Sequence, residues 1–487
     1  MKNTKNNSVA KGFYWSLSEK ILTEVFRIII SILLARLLLP KEFGTVALIE
    51  VFISFFSLFI MFGLGNALVQ KKSPSEEEYS TIFYINMILG IVLYILLFFI
   101  SPLIADFFDN NDLCILLRVL GLKLPIGSIF SIQEARIHKE LDFKKLFFSS
   151  LAGTIIGGAI GLTMALNGFG VWALIAYPLI DQIIDSLILF IATKWFPKPV
   201  LSFKKCTPLY RYGIKIFASE FIGRVCDQFR MLAIGKVYKE EELAYNSKGQ
   251  KLPQALVDVV DTTTIRVMFP TLSKNQDNKS EMVSLSKKYI QMCSFFLSPL
   301  MFGLIATANN FIPFLYGNNW NECVPYVQLY CLAFILNPIQ LINIKMVQAS
   351  GRSDITLATQ IIKVCLSVLI IVITLVFFTN PLSIVISYVI YMVLTLFINS
   401  FPCKKMFGYG LTSQLLDALP SFLISFLMGI VVYYIGTFNA PVVVLLVAQV
   451  IAGISFYFFV SWILRIESFE MFIKIIKKIG GKKNVNS

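Results

Sequence analysis

Lys20, Glu24 and Arg27 stand at i, i+4 and i+7 in a stretch that is otherwise mostly aliphatic, with Ser31 four residues further on. On a helix all four share one face. Glu220, Arg224 and Asp227 repeat that spacing downstream with Arg230 close to the same face, and Asp258, Asp261 and Arg266 follow. A guanidinium fork matches the oxygens of a phosphate or carboxylate. A buried carboxylate can take up and release a proton or hold Na+. The chemistry on offer is therefore anion recognition, with proton or cation exchange beside it. The plainer reading is mutual neutralisation, Glu24 with Arg27 and Glu220 with Arg224, which would fix helix packing and nothing else.

The elements that must carry these residues follow from composition. Of 487 residues, 56% are hydrophobic and 15% charged, where a soluble domain carries about 25% charged residues. A membrane-spanning helix takes about 20 apolar residues. Apolar runs bounded by Pro, Gly, Asn and charge clusters predict spans at 13–39, 43–66, 80–105, 113–133, 147–166, 171–194, 212–235, 252–272, 289–308, 323–346, 357–378, 382–400, 413–436 and 441–464. The chain reads as an all-α integral membrane protein of about 14 transmembrane helices. Glu19, Lys20 and Glu24 interrupt the first run, so it does not read as a cleavable signal.

The net charge of +14 sorts by position. Of 43 basic residues, 27 fall in alternate connections and both termini, among them Lys71, Lys72, Arg136 to Lys145, Lys194 to Arg211, Lys274 to Lys288 and the tail from Arg465. Only 5 fall in the opposite connections, Lys41 and then Lys236, Lys239, Lys248 and Lys251. Lys and Arg concentrate on the cytoplasmic side, so both termini are expected there. The longest external loop is expected at 236–251, where Glu240, Glu241 and Glu242 balance the lysines.

Eleven cations remain inside spans: Lys20, Arg27, Arg36, Arg118, Lys123, Lys215, Arg224, Arg230, Arg266, Lys345 and Lys363. Such residues face a bundle interior or an aqueous cavity. Arg27, Arg224 and Arg266, on spans 1, 7 and 8, are the first candidates for lining a cationic cavity, followed by Arg230, Lys215 and Lys20. Glu24, Glu220, Asp227, Asp258 and Asp261 are candidates for H+ or Na+ coupling, with structural pairing equally open for each. No catalytic residue, metal site or cofactor is expected. The eight cysteines lack C-x2-C spacing and read as small buried hydrophobes. His138, the single histidine, lies in a basic connection.

Laid over itself at an offset of 201, the sequence puts Gly12 on Gly213, Glu19 on Glu220 and the Lys41–Gly44 turn on the Glu242–Tyr245 turn. That is a parallel repeat, an arrangement transporters use to build a midplane site. Gly153, Gly157 and Gly161 form a G-x3-G repeat that lets helices approach closely.

The segment from Ala35 to Gly44, A-R-L-L-L-P-K-E-F-G, resembles the signature A-R-L-L-x-P-x-E-F-G of the polysaccharide-export, Wzx-like branch of the MOP superfamily of flippases. Collinear matches follow at Gly63-Leu64-Gly65, Leu68-Val69-Gln70, Leu141 to Lys144, Gly168 to Leu174, Asp227 to Gly235 with Tyr245, Phe269 to Ser273, Tyr316-Gly317-x2-Trp320 and Ala349 to Asp354. Two departures are Lys139, where the family often has Arg, and Leu243-Ala244-Tyr245, where it has L-G-x-Y. The resemblance implies two six-helix lobes in a MATE-like arrangement, 1–205 and 206–400, then two further helices in 401–464 and a basic cytoplasmic tail, 465–487. It also implies that an undecaprenyl-diphosphate-linked oligosaccharide crosses the bacterial cytoplasmic membrane by alternating access for O-antigen, capsule or exopolysaccharide assembly. Arg27, Arg224 and Arg266 would hold its diphosphate and sugars, with a polysaccharide polymerase and other assembly proteins as partners.

A cation-coupled multidrug antiporter of the same superfamily is the alternative, since Glu19, Glu24, Glu50, Asp181, Asp185, Glu220, Asp227 and Asp258 also lie in spans 1 to 8. A membrane polymerase would need a large extracytoplasmic loop. An ATP-driven pump is excluded by the lack of a G-x4-G-K-[ST] sequence. Nucleic acid is not an expected partner.

Overall fold

In hydrocarbon a backbone must satisfy its own N–H and C=O groups, which leaves long Leu, Ile, Val and Phe runs no form but helix or closed barrel. The computed structural model describes residues 2–61, 74–140, 142–202 and 228–473 with positions 68, 71, 207 and 221; side chains are described there except at 2–14, 16–17, 61 and 262–267. The chain divides into two units, Met1–Ala244 and Tyr245–Ser487. The first contains α1 (Lys2–Leu37), α2 (Pro40–Met61), α3 (Glu76–Phe107), α4 (Asp112–Gly121), α5 (Lys123–Glu140), α6 (Phe143–Leu166) and α7 (Val171–Thr193). After a helical run at 228–237 come α8 (Glu240–Lys274), whose first residues close the first unit, and α9 (Lys279–Tyr316). The second unit continues with α10 (Val324–Phe334), α11 (Asn337–Ala349), α12 (Ser353–Phe377), α13 (Leu382–Phe407), α14 (Leu411–Gly436) and α15 (Val442–Ile463).

Among the described residues, 11 helical segments are long and apolar enough to cross a membrane, with α4–α5 and α10–α11 each forming one. The expected spans outside that set are 13–39 in α1, 252–272 in α8, and 212–235, most of which lies outside the described residues. The charges of α1 and α8 are what separate those two segments from the rest.

The Pro-x-Glu-x-Gly part of the first motif is a helix-start device. Pro40 opens α2 at a position where its missing N–H costs nothing, and Glu42 folds back to accept the Leu39 N–H at 2.7 Å. Gly44 is required by close approach, because a Cβ there would overlap the Glu240 carbonyl. The break between α1 and α2 falls at 38–39, and the break before α8 falls at 238–239. The spacing matches the sequence repeat to one residue, and element order repeats with it. In each unit one span is split in two, α4–α5 and α10–α11, with a proline, Pro125 or Pro338, just past the break.

Two sequence expectations change. The external loop at 236–251 is a turn of two residues, because α8 begins at Glu240 and Glu240, Glu241 and Glu242 occupy its first turn, where carboxylates favour a helix N-terminus. Lys248 is buried against the rings of Tyr316 and Trp320 at 5.4 and 6.0 Å. Arg136 to Lys139, expected in a connection, are the last turns of α5. Arg136 pairs with Glu76 at 3.2 Å and Glu140 at 2.9 Å beside Tyr79 and Trp195, which extends the helix beyond its apolar part.

The glycine stripe of α6 packs on α7. A Cβ at Gly153 would lie 2.6 Å from the Asp181 carbonyl oxygen, and one at Gly157 2.8 Å from the Asp181 nitrogen. Lipid supplies no hydrophobic drive between helices, so such close van der Waals contact holds them together. In the second unit α11, α13 and α14 are joined by buried amides. Asn343 and Gln414 donate to each other at 2.9 and 2.8 Å, and Gln340 donates to the Met392 carbonyl at 2.8 Å. Between α13 and α14, burial and the 2.7 Å bond from Tyr409 to Asp417 push the Tyr409 phenol well above its usual range.

Candidate functional site

Three charges of α1 lie along a border. Thr23, Ile30 and Leu34 on one flank are buried, Ile21, Val25 and Ile29 on the other are exposed, and Lys20, Glu24 and Arg27 stand between them, all exposed. Arg27 does not turn to Glu24. Its Nη2 lies 3.4 Å from Asp181 Oδ2 on α7, and 47% of its side chain stays exposed.

Asp181 is held in place by the glycine packing just described. Thr154 on α6 donates to its Oδ1 at 3.1 Å. One turn on, Ser150 donates to Asp185 Oδ2 at 3.4 Å, and Asp185 Oδ1 is a buried atom without a hydrogen-bond partner. Lys123, at the break between α4 and α5, lies within electrostatic range of Glu50, Asp181 and Arg27. The first unit thus gathers Arg27, Lys123, Glu50, Asp181 and Asp185 from four helices. By sequence Lys123 counts among the cations inside spans, and Glu50, Asp181 and Asp185 among the carboxylates that keep the antiporter alternative open. The signal was the carboxylate pair at i and i+4 in α7, opposite three glycines at the same period.

In the second unit Asp258 and Asp261 sit one turn apart on α8. Asp258 is exposed and accepts from Gln254 at 2.8 Å. Asp261 accepts from Asn337 at 2.8 Å through Oδ2, while its Oδ1 is buried without a hydrogen-bond partner. Asn337 opens α11 at the break from α10. In both units, then, the residue beside the split, Lys123 or Asn337, has a carboxylate within reach. Split helices inside a membrane are where transporters bind ions and charged substrate groups.

Arg266 lies on α8, with its side chain outside the described residues. Arg230 is buried in the run 228–237 at 7% exposure. Lys215, Glu220, Arg224 and Asp227 lie outside the described residues.

A bundle of apolar spans with charges placed at internal breaks defines a multi-pass membrane protein of the transporter type. The chain belongs to the family of polysaccharide biosynthesis proteins, which it matches over residues 33–325. It is 25% identical to the lipopolysaccharide biosynthesis protein WzxC of Escherichia coli (strain K12) over 370 residues, 72% of each chain. It is also 25% identical to the succinoglycan biosynthesis transport protein ExoT of Rhizobium meliloti (strain 1021) over 329 residues, 67% of this chain and 66% of that one. Among solved structures, the lipid II flippase MurJ in an inward closed conformation shares the fold, with a TM-score of 0.71, 19% identity, and 93% of this chain and 99% of that one aligned.

Proposed function

We propose that this protein moves an undecaprenyl-diphosphate-linked oligosaccharide from the inner to the outer leaflet of the bacterial cytoplasmic membrane for surface polysaccharide assembly. Membership of the polysaccharide biosynthesis family, together with relatives named for lipopolysaccharide biosynthesis and succinoglycan transport, carries this reading. The fold shared with a lipid II flippase supports it. The step is a translocation by alternating access, with no covalent chemistry in the protein. Both termini lie in the cytoplasm, as the distribution of Lys and Arg indicates.

The substrate's oxyanions need cations that they can reach. Arg27, half exposed on an open stripe with one carboxylate at 3.4 Å, fits that need. In this reading Arg27, Arg224 and Arg266 hold the diphosphate with help from Arg230, Lys215 and Lys20. Glu24, Glu220, Asp227, Asp258 and Asp261 exchange H+ or Na+ as the protein changes state. A polysaccharide polymerase consumes the product outside.

The test is surface polysaccharide in cells whose only copy carries Arg27→Ala, Arg224→Ala or Arg266→Ala, with membrane insertion followed by immunoblot. Loss of polysaccharide at normal insertion is expected. Wild-type polysaccharide in all three variants would overturn the cationic site.

A further inference from the structure

Lys363 sits ten residues into α12, which runs from Ser353 to Phe377. At 1.5 Å per residue that is about 15 Å from the helix start, near the middle of the 25-residue helix. The helix has two distinct sides. Leu357, Ile361, Val368, Val372 and Val376 are exposed along one, while Ser367, Ile371 and Thr374 are buried along the other. Lys363 falls one turn before Ser367 on the buried side and is itself only partly accessible. Its side chain therefore leaves α12 on the side that packs against the neighbouring helices, near the middle of the helix.

Among the described residues Lys363 makes no ion pair or hydrogen bond. Among the described residues the helices chiefly packed against α12 are α11 and α13, and neither contains an Asp or Glu; their cations are Lys345 on α11 and Lys404 and Lys405 at the far end of α13. The carboxylate of α12 itself, Asp354, is taken by Arg352 at 2.8 Å. The corresponding place in the first unit, ten residues into α6, is Gly153, packed against Asp181. The two units thus differ in kind at this position: a glycine seats a carboxylate in the first, and an uncompensated cation stands in the second. A lone intramembrane cation on an inward face marks a ligand or ion pathway.

We infer that Lys363 is an oxyanion-binding group of the second unit, contacting a phosphate or sugar carboxylate of the transported substrate at mid-depth. This rests on the flippase reading above and adds to it a contact point outside the arginine set.

The experiment measures binding to purified protein in detergent with two probes, undecaprenyl diphosphate without sugars and a soluble uronic-acid oligosaccharide. Lys363→Met should weaken one of them by about tenfold, the size expected on losing a charge-assisted hydrogen bond, and Lys363→Arg should restore most of the loss. The affected probe identifies the oxyanion. Lys363→Gln gives a second neutral variant if the Met form is not monodisperse. Unchanged binding of both probes in the neutral variants overturns the inference, as does an Arg variant as weak as Met, because a fixed positive charge would then not be what the site uses. Weakened binding in Arg27→Ala with Lys363→Met unchanged keeps the flippase reading and removes this inference. Failure of wild-type protein to bind either probe overturns both.

Discussion

Arg27 on α1 is paired with Asp181 on α7, 154 positions away and 3.4 Å apart, rather than with Glu24 one turn behind it on its own helix. The pair ties the charged edge of α1 to the surface where α6 and α7 meet. With 47% of the Arg27 side chain exposed, solvent screening limits its contribution to under about 1 kcal/mol. Asp181→Asn should therefore insert normally and unfold within about 3 °C of wild type, while altering transport through the Arg27 it releases. A drop several times larger would make the pair a structural clamp and remove Arg27 from the binding argument.

The α6–α7 contact should be intolerant of size. Gly157 faces the Asp181 backbone nitrogen at a would-be Cβ distance of 2.8 Å, and backbone cannot swing aside as a side chain can. Gly157→Ala is expected to cost about 1–3 kcal/mol, read as a lower thermal midpoint in detergent. Gly168→Ala, with open space around it but a φ of 78°, should cost about 1–2 kcal/mol through backbone strain alone. Equal stability of Gly157→Ala and wild type would show that the helices are not in close contact.

Asn343 and Gln414 donate an amide hydrogen bond to each other in a buried setting, and Gln414 also donates to the Tyr409 carbonyl at 3.1 Å. Gln414→Leu strands the Asn343 side chain and should cost about 1–3 kcal/mol. The double change with Asn343→Leu should recover much of that loss, and a thermal-unfolding cycle on the four proteins measures the coupling. Additive effects would mean that the reciprocal bond does not exist.

Orientation can be read with single cysteines at exposed positions. Glu140 at the end of α5 and Asn318 after α9 are both accessible. A membrane-impermeant maleimide applied to intact spheroplasts should label Glu140→Cys only after lysis and Asn318→Cys before it. The reverse pattern would invert the topology drawn from Lys and Arg.

Much of the fold was legible because hydrocarbon imposes one rule on every span. The helical runs, the G-x3-G contact and the repeat marked by Lys41–Gly44 all follow from short-range pattern. What escaped were relationships set by packing. The partner of Arg27 could not be read from spacing because it lies on another helix. The turn at 238–239 was hidden by charge, since lysines and glutamates that look like a loop are also what a long helix carries where it leaves the membrane. The roles of Lys123 and Asp185 were obscured for a related reason: a census by span records depth but not which faces meet.

The split in the span α4–α5 is mended from outside. The Lys123 carbonyl accepts a bond from the Gln182 side chain of α7 at 3.1 Å, and a Cβ at Gly127 would crowd the same amide at 2.7 Å. Gln182 follows Asp181 directly in the chain, so the residue that bonds the broken span adjoins the residue that holds Arg27. Anything that draws Asp181 away from the arginine also pulls on the amide stitched into the neighbouring helix. The charge at the edge of α1 and the break between α4 and α5 are thereby tied to two adjacent side chains on one turn of α7.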